Sequence, residues 1–209
     1  MLQEEPIADN QIASVDACQI DGTKYGDAPR CEVCKRYIGM RAWLPPYRVE
    51  LETWGYEFAD IVVIGTNLLI SQRFKQAWEQ SQLVGLSGFE NVEVINVKRH
   101  RKKIGEPPTY FRAVVVRGQT AINLVASEFE WKNESACPVC RLAGVIKRWK
   151  RIIIDQSTWT GEDIFIARGL PGEICVSERF KDFCEINNMK NTLFVAAETY
   201  GHDFYPWEK

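Results

Sequence analysis

The chain has 209 residues, of which 45% are apolar and 26% are charged, a composition typical of globular proteins with a hydrophobic core. This composition excludes an intrinsically disordered chain, and the net charge of −2 excludes attraction of the whole molecule to nucleic acid or an anionic membrane. The first residues lack the basic start and apolar stretch of a secretory signal. No apolar run approaches the roughly 20 residues of a membrane span, so we expect a cytoplasmic protein.

Residues 1–30 contain few large apolar side chains and several turn formers, and we interpret them as a loosely ordered lead-in. The segment that follows alternates as a strand does and then changes to a helical period. Ser71 is a predicted N-cap, and Phe74, Ala77 and Trp78 follow it on one helical face. The elements predicted here are strands at 47–52 and 61–64, a helix from Ser71 that ends before Gly85, and a strand containing Val92, Val94 and Val97.

The middle of the chain begins with a basic run at 98–103. Two apolar stretches, 110–116 and 120–125, follow it, and we expect them to pair as a β-hairpin. The remaining residues repeat the order of the first part. The elements predicted there are strands at 151–155, 164–167 and 193–196, and a helix that Ser177 caps, with Phe180, Phe183 and Cys184 on its buried face.

Two motifs return at the same spacing, which indicates an internal duplication. The pair Cys31 and Cys34 returns as Cys137 and Cys140, and the segment 70–75 returns as 176–181; both 137 − 31 and 177 − 71 equal 106. The predicted fold class is therefore α+β, with two duplicated β-rich halves that each contain one helix. The predicted divisions are the lead-in 1–30, a first repeat 31–97, a connector 98–126 with the basic loop and hairpin, and a second repeat 127–209.

The four motif cysteines, Cys31, Cys34, Cys137 and Cys140, are candidate ligands for one structural zinc ion where the halves meet. Zinc binds thiolate sulfur well, and four thiolates close its tetrahedral shell without leaving a position for a catalytic water. Two alternatives stay open. One is a thioredoxin-like redox pair, although no strand-like run precedes either motif, and the other is a set of thiols that have lost their metal.

Signatures of common enzyme classes are missing from the sequence, so we predict no catalytic residues and no enzymatic activity. It contains no Gly-rich phosphate loop, no Gly-x-Ser-x-Gly elbow and no His-Glu-x-x-His. His100 lies in the basic run, and His202 precedes Asp203 in an aromatic C-terminal segment where packing is the simpler explanation. The basic run itself is either a solvated loop or a phosphate-contacting patch.

The sequence resembles the double-CXXCG-motif family of bacterial immunity proteins, from about residue 31 to the C-terminus. Several blocks occur in the right order, which makes a chance match improbable. These blocks are 31–34, 38–40, 43–51, 71–75, 86–89, 107–111, 137–140, 159–165, 177–181 and 202–206.

The resemblance implies a non-enzymatic cytoplasmic protein that tightly binds one cognate antibacterial toxin and blocks it. The family has glycine after each second cysteine, whereas this chain has Lys35 and Arg141. If those positions need a positive φ, a side chain there costs on the order of 1 kcal/mol and would distort or empty the zinc site. The competing hypothesis is a zinc-stabilised nucleic-acid-binding module that uses the run 98–103. Candidate interface anchors, with core packing as their alternative role, are Trp43, Tyr56, Trp131 and Tyr205.

Overall fold

The computed structural model describes residues 1–3, 15–20, 22–100, 105–132 and 135–205, which are mostly β with two helices. The predicted α+β class is confirmed. The strands are β1 Leu2–Gln3, β2 Val15–Gln19, β3 Lys24–Tyr25, β4 Trp43–Leu44, β5 Arg48–Thr53, β6 Ile61–Ile64, β7 Asn67–Ser71, β8 Leu86–Arg99, β9 Tyr110–Val115, β10 Glu130–Trp131, β11 Ile146–Trp149, β12 Ile164–Phe165, β13 Cys175–Val176, β14 Leu193–Phe194 and β15 His202–Asp203. The helices are α1 Gln72–Gln80 and α2 Glu178–Ile186.

A six-stranded sheet with the order β2-β5-β8-β9-β7-β6 dominates the fold. Its longest strand, β8, serves two neighbours in succession: residues 86–92 pair antiparallel with β9, and residues 93–99 pair parallel with β5. The ladder with β9 is interrupted between Gly88 and Glu90, where Phe89 has a φ of 62°. Such a bulge bends and twists a strand, so it accounts for the change of partner along one continuous chain segment.

Strand β7 separates two hydrophobic clusters, and all five of its residues are buried. Leu68 and Ile70 point to the cluster that contains both helices, whereas Leu69 packs with Trp43 and Val49 on the opposite face. Alternate side chains of a strand face opposite sides of a sheet, so an uninterrupted apolar run is what a strand buried on both faces requires. The predicted strand at 61–64 is also confirmed, as the neighbour β6.

The two helices pack against each other through aromatic side chains. Ser71 and Ser177 cap them as predicted, and each hydroxyl accepts from the backbone N–H three residues later, at 3.1 and 3.2 Å. Phe74 of α1 is fully buried and lies 5.5 Å, centroid to centroid, from Phe183 of α2. Trp78 lies 6.2 Å from Phe180. Edge-on and tilted ring contacts of this kind add to the free energy gained from burying the rings.

A buried aspartate fastens the start of α1 to the segment that follows α2. The Asp60 carboxylate accepts from the Ser71 hydroxyl at 2.5 Å and from the Lys190 backbone N–H at 2.9 Å, and it also contacts the Arg73 guanidinium. The Asp60 N–H in turn donates to the Lys190 carbonyl at 3.2 Å. Because Asp60 is only 5% exposed, these donors are what make the burial of its charge tolerable.

Asp163 makes the reciprocal connection, from the start of α2 to the segment after α1. Its carboxylate accepts from the Ser177 hydroxyl at 2.7 Å and from the Val84 backbone N–H at 3.0 Å, while its own N–H donates to the Val84 carbonyl at 2.8 Å. Lys190 and Val84 stand 106 positions apart (190 − 84), the spacing of the sequence repeat. The correspondence therefore includes long-range contacts, although the strands around the helices differ: α1 follows the six-stranded sheet, whereas α2 follows only the β12-β13 pair.

Two sequence predictions in the second half of the chain are wrong. The stretch 110–116 forms β9, but it pairs with β7 and β8, and no hairpin with 120–125 exists. In that second stretch, Ala121 and Ile122 are fully buried and make only isolated bridges, to Arg168 and Ile154. The predicted strand 151–155 is reduced to the bridge at Ile154. Apolar side chains in both stretches satisfy burial by packing in loops, a result that alternation alone does not distinguish from pairing.

The first 30 residues contribute more regular structure than their composition suggests. Strand β1 pairs with β14, β2 pairs with β5, and β3 pairs with β4. Met1 and Leu2 are each 5% exposed and lie in the core, far along the chain from their partners. The divisions at residues 30, 97 and 126 stay predictions.

Replacing Asp60 with alanine should lower the free energy of unfolding by about 3 kcal/mol, because buried donors from Ser71 and Lys190 lose their acceptor. Urea titration with an unchanged m value measures this difference. The matched control is Glu79→Ala on α1, whose carboxylate is 52% exposed and pairs with Lys75 one turn away. That control should change stability by less than about 0.5 kcal/mol. Equal effects of the two substitutions would contradict the assigned role of Asp60.

Candidate metal centre

The structure brings the four motif cysteines together, although 106 residues separate the two pairs. The sulfur atoms of Cys31, Cys34, Cys137 and Cys140 all lie within 4.8 Å of one another. Equivalent cysteines face each other: the Sγ atoms of Cys31 and Cys137 are 4.0 Å apart, and those of Cys34 and Cys140 are 3.6 Å apart. Cys34 is partly exposed and the other three are buried.

Each cysteine pair lies in a turn with the same hydrogen bonds. In the first turn, the Cys31 N–H donates to the Arg36 carbonyl at 2.9 Å, and the Lys35 N–H donates back to the Cys31 carbonyl at 2.9 Å. The second turn has the same pattern around Cys137, with distances of 2.9 and 2.8 Å. Such a turn points both of its thiols in one direction, so two facing turns supply four thiols around one point.

The spacing of the sulfur atoms fits a tetrahedral ion. Zinc–sulfur bonds of about 2.3 Å place the sulfurs of a regular tetrahedron about 3.8 Å apart. The two facing contacts of 3.6 and 4.0 Å bracket this value. Thiolates are soft ligands, and a four-sulfur set suits zinc or an iron–sulfur centre better than magnesium or calcium. The cluster could therefore hold a metal ion.

The protonation of the thiols is uneven. The backbone N–H of Cys34 donates to the Cys31 sulfur and lowers the pKa of that thiol to about 6. The N–H of Cys140 likewise lowers the pKa of Cys137, whereas burial raises the pKa of Cys140 to about 12. Since burial disfavours a further thiolate beside the others, a cation is needed for all four cysteines to lose their protons together.

Lys35 and Arg141 adopt the backbone conformation that glycine prefers, with φ values of 60° and 59°. The positive φ considered from the sequence is thus present, but the four sulfurs still converge. The two side chains are held differently. The Arg141 guanidinium bonds the Asp155 carboxylate at 2.6 Å and also donates to the Ile122 carbonyl. The exposed Lys35 side chain has a single hydrogen bond, to the Glu32 carbonyl at 2.6 Å.

An apolar layer surrounds the cysteines. Leu142 is buried in the same cluster, and Ile38 and Trp131 pack against it from two other segments. The predicted anchor Trp131 therefore lies beside the candidate metal centre, while Trp43 is 2% exposed and belongs to the core. Tyr56, at 57% exposure, is on the surface.

The remaining candidate residues do not join the cysteine cluster. His202 packs on Trp149 and Phe204, with ring centroids 5.5 and 4.2 Å away. Of the basic run, Lys98 and His100 both contact the Glu52 carboxylate, and the His100 ring stacks on Trp54. Arg101, Lys102 and Lys103 lie outside the described residues. The ion pairs with Glu52 offset part of the positive charge that the nucleic-acid hypothesis requires.

Comparison with known proteins identifies the family. The sequence model of the immunity protein family (Imm11) matches residues 47–199, which is most of the chain. This chain belongs to that family. The matched region contains both helices and the Cys137–Cys140 pair, and the four cysteines fit a double CXXC motif. No curated protein matches the chain. No helix in the described part of the Imm11 chain has the length and apolar character needed to cross a membrane.

Glycine at the two positive-φ positions should have opposite effects on stability. Lys35→Gly relieves a left-handed conformation and loses one exposed hydrogen bond, so it should stabilise the protein by up to about 1 kcal/mol. Arg141→Gly relieves the same conformation but loses the ion pair with Asp155 and the bond to Ile122, so it should destabilise. Thermal unfolding of the two variants and the parent gives the comparison. Stabilisation by both substitutions would show that the Arg141 contacts contribute nothing.

Proposed function

We propose that this chain neutralises a cognate antibacterial toxin by forming a tight, non-catalytic complex with it in the cytoplasm. Membership of an immunity protein family is the observation that carries this proposal. The fold supports it, because helices joined by buried aspartates and aromatic rings form a scaffold that loses little conformational entropy when it binds. A rigid inhibitor of this kind blocks its target by occupancy and needs no chemistry of its own.

We also propose that the cysteine cluster binds one zinc ion and that this ion is structural. All four shell positions would be occupied by Cys31, Cys34, Cys137 and Cys140. Zinc is redox-inert and favours a tetrahedral sulfur set, and a closed shell gives it no position to activate water. What it supplies is a covalent-strength link between segments that are distant in sequence, so its binding free energy contributes to folding.

The internal repeat is explained by a duplication, which forms part of the same proposal. Three sets of contacts support it, each repeated after 106 residues: the thiol turns, the serine caps of the helices and the aspartate bonds to the segments after the opposite helices. A single ancestral unit that contained one thiol turn and one capped helix would account for all three.

Elemental analysis of protein purified without chelator should find one zinc per chain. Changing Cys137 to serine should abolish this zinc content and lower the melting temperature, because one of four ligands is removed from a linked binding and folding equilibrium. The control is Cys18→Ser, which removes an exposed thiol outside the cluster and should leave one zinc bound. Iron in place of zinc, or no metal, would refute the zinc proposal and leave the immunity proposal standing.

Co-expression should protect cells from one toxin encoded beside the gene for this chain. The expected result is growth with the active toxin and this protein together, and arrest with the toxin alone. A stable one-to-one complex of the purified proteins should accompany protection. Failure to protect against every neighbouring toxin would refute the proposal, and protection without a detectable complex would refute inhibition by binding.

A further inference from the structure

Four arginines with no carboxylate partner lie on one side of the molecule, around the cysteine cluster. They are Arg30, Arg41, Arg117 and Arg168, which we call the arginine face. Within the part of the chain that the structure describes, none of them forms an ion pair. Arginines elsewhere behave differently, and those with a carboxylate partner are Arg48, Arg73, Arg112, Arg141, Arg148, Arg151 and Arg179.

Backbone carbonyls and tyrosine rings hold these guanidinium groups in place. Arg30 donates to the Lys35 carbonyl at 3.1 Å and lies 3.8 Å from the centroid of the Tyr37 ring. Arg168 donates to two carbonyls, of Gln119 at 2.8 Å and of Val139 at 2.9 Å. These contacts fix the side chains without neutralising them, so the guanidinium groups remain available to a partner's carboxylates and lose little entropy on binding.

Three adjoining clefts join the arginines into one surface. The largest, ≈ 1210 Å³, contains Arg30 and Arg41; a second of ≈ 470 Å³ contains Arg30, Arg117 and Arg168. A smaller cleft of ≈ 280 Å³ shares Tyr37 with the first and Arg117 with the second. The acidic residues along these clefts are Asp27 and Glu32, so four positive charges face two negative ones on a chain of net charge −2.

Arg117 is the most demanding of the four, because it lies partly buried where two clefts meet. Its guanidinium packs over Gly39, where a Cβ atom would approach Nη2 to within 2.8 Å. Burial lowers the pKa of Arg117, which means that its charge has given up solvation without receiving a counterion from the described residues. A carboxylate brought by a partner would recover that cost.

We propose that the arginine face is the toxin-docking surface and that its occupant is an acidic segment of the toxin, with several Asp or Glu side chains. This inference rests on the proposed immunity function. Exposed Met40 and Tyr37, at 59% and 56%, lie among the arginines and supply the apolar contact typical of protein interfaces, where Arg, Tyr and Met are enriched. A nucleic acid fits less well, because Arg30 and Arg41 already cover a face of Tyr37 and of Tyr25, the rings that bases would stack on.

The cysteine cluster has a direct role in this surface. The cleft that contains Arg117 and Arg168 is also lined by Cys31 and Cys140, and its residues come from both cysteine turns and from the segments around 117 and 168. Linking the thiol turns therefore fixes the distances between arginines that are far apart in sequence. The metal centre would act on toxin binding by positioning these side chains, without touching the toxin.

The test is the affinity of a catalytically inactive form of the neighbouring toxin, measured by isothermal titration calorimetry. The double variant Arg30→Glu/Arg41→Glu changes two exposed side chains and should weaken binding at least about 100-fold. The charge-matched control is Arg48→Glu/Arg151→Glu, which alters exposed arginines outside the clefts and should stay within about threefold. Arg30→Gln/Arg41→Gln, which keeps side-chain size, should weaken binding about tenfold.

The outcomes separate the two proposals. Tight binding by the parent with unchanged affinity in both arginine-face variants would overturn the docking surface and leave immunity intact. No binding by the parent protein to any neighbouring toxin would overturn both. Binding of a 20-nucleotide single-stranded oligonucleotide that the variants lose, while toxin affinity is unchanged, would assign the face to nucleic acid and overturn this inference.

Discussion

Reciprocal hydrogen bonds between two buried aspartates and the backbone after the opposite helix organise the molecule. Asp60 bonds the N–H of Lys190, and Asp163 bonds the N–H of Val84. Each carboxylate also accepts from the serine that caps its own helix, so helix start, aspartate and distant backbone form one polar unit inside an apolar cluster. A buried charge is tolerated only when its donors are complete, which makes the geometry of this unit hard to vary.

The cysteine turns and the arginine face depend on that arrangement of the two halves. Aspartates and aromatic rings bring the halves together at the helices, and the thiols bring them together again at a second location. Two separate attachments restrict rotation of one half against the other far more than one attachment does. Side chains contributed by both halves, such as Arg30 and Arg168, therefore keep a constant relation. Constant geometry is what a tight inhibitor requires, because each disordered contact must be ordered at the expense of affinity.

Local features of this fold could be predicted from the sequence, and long-range ones only where a repeat revealed them. Serine caps at 71 and 177 and the apolar faces of both helices follow from helical periodicity and capping chemistry. Convergence of the four cysteines followed from their common spacing and from the number of ligands that a tetrahedral ion takes. The stretches 120–125 and 151–155 were misassigned because side chains such as Ile122 and Ile152 are buried by loops, which periodicity cannot separate from strands.

Other functional features carry no local signal. The donors to the aspartates are backbone N–H groups of Lys190 and Val84, and a backbone group looks the same in every sequence. Arginines of the docking face come from three separated segments, and what distinguishes them from other arginines is the lack of a nearby carboxylate in space. The left-handed conformation of Lys35 and Arg141 was open to prediction only through the glycines that the family has at those positions.

The distance along the chain between Asp60 and Lys190 also affects how the protein is made. The carboxylate and its backbone donor are 130 residues apart, so ribosomes that add about 5–20 residues per second expose the acceptor on the order of ten seconds before its donor. Contacts of such high sequence separation form late in folding. The nascent first half therefore waits with an incomplete polar unit, and a cell gains active inhibitor only from chains whose synthesis has passed residue 190.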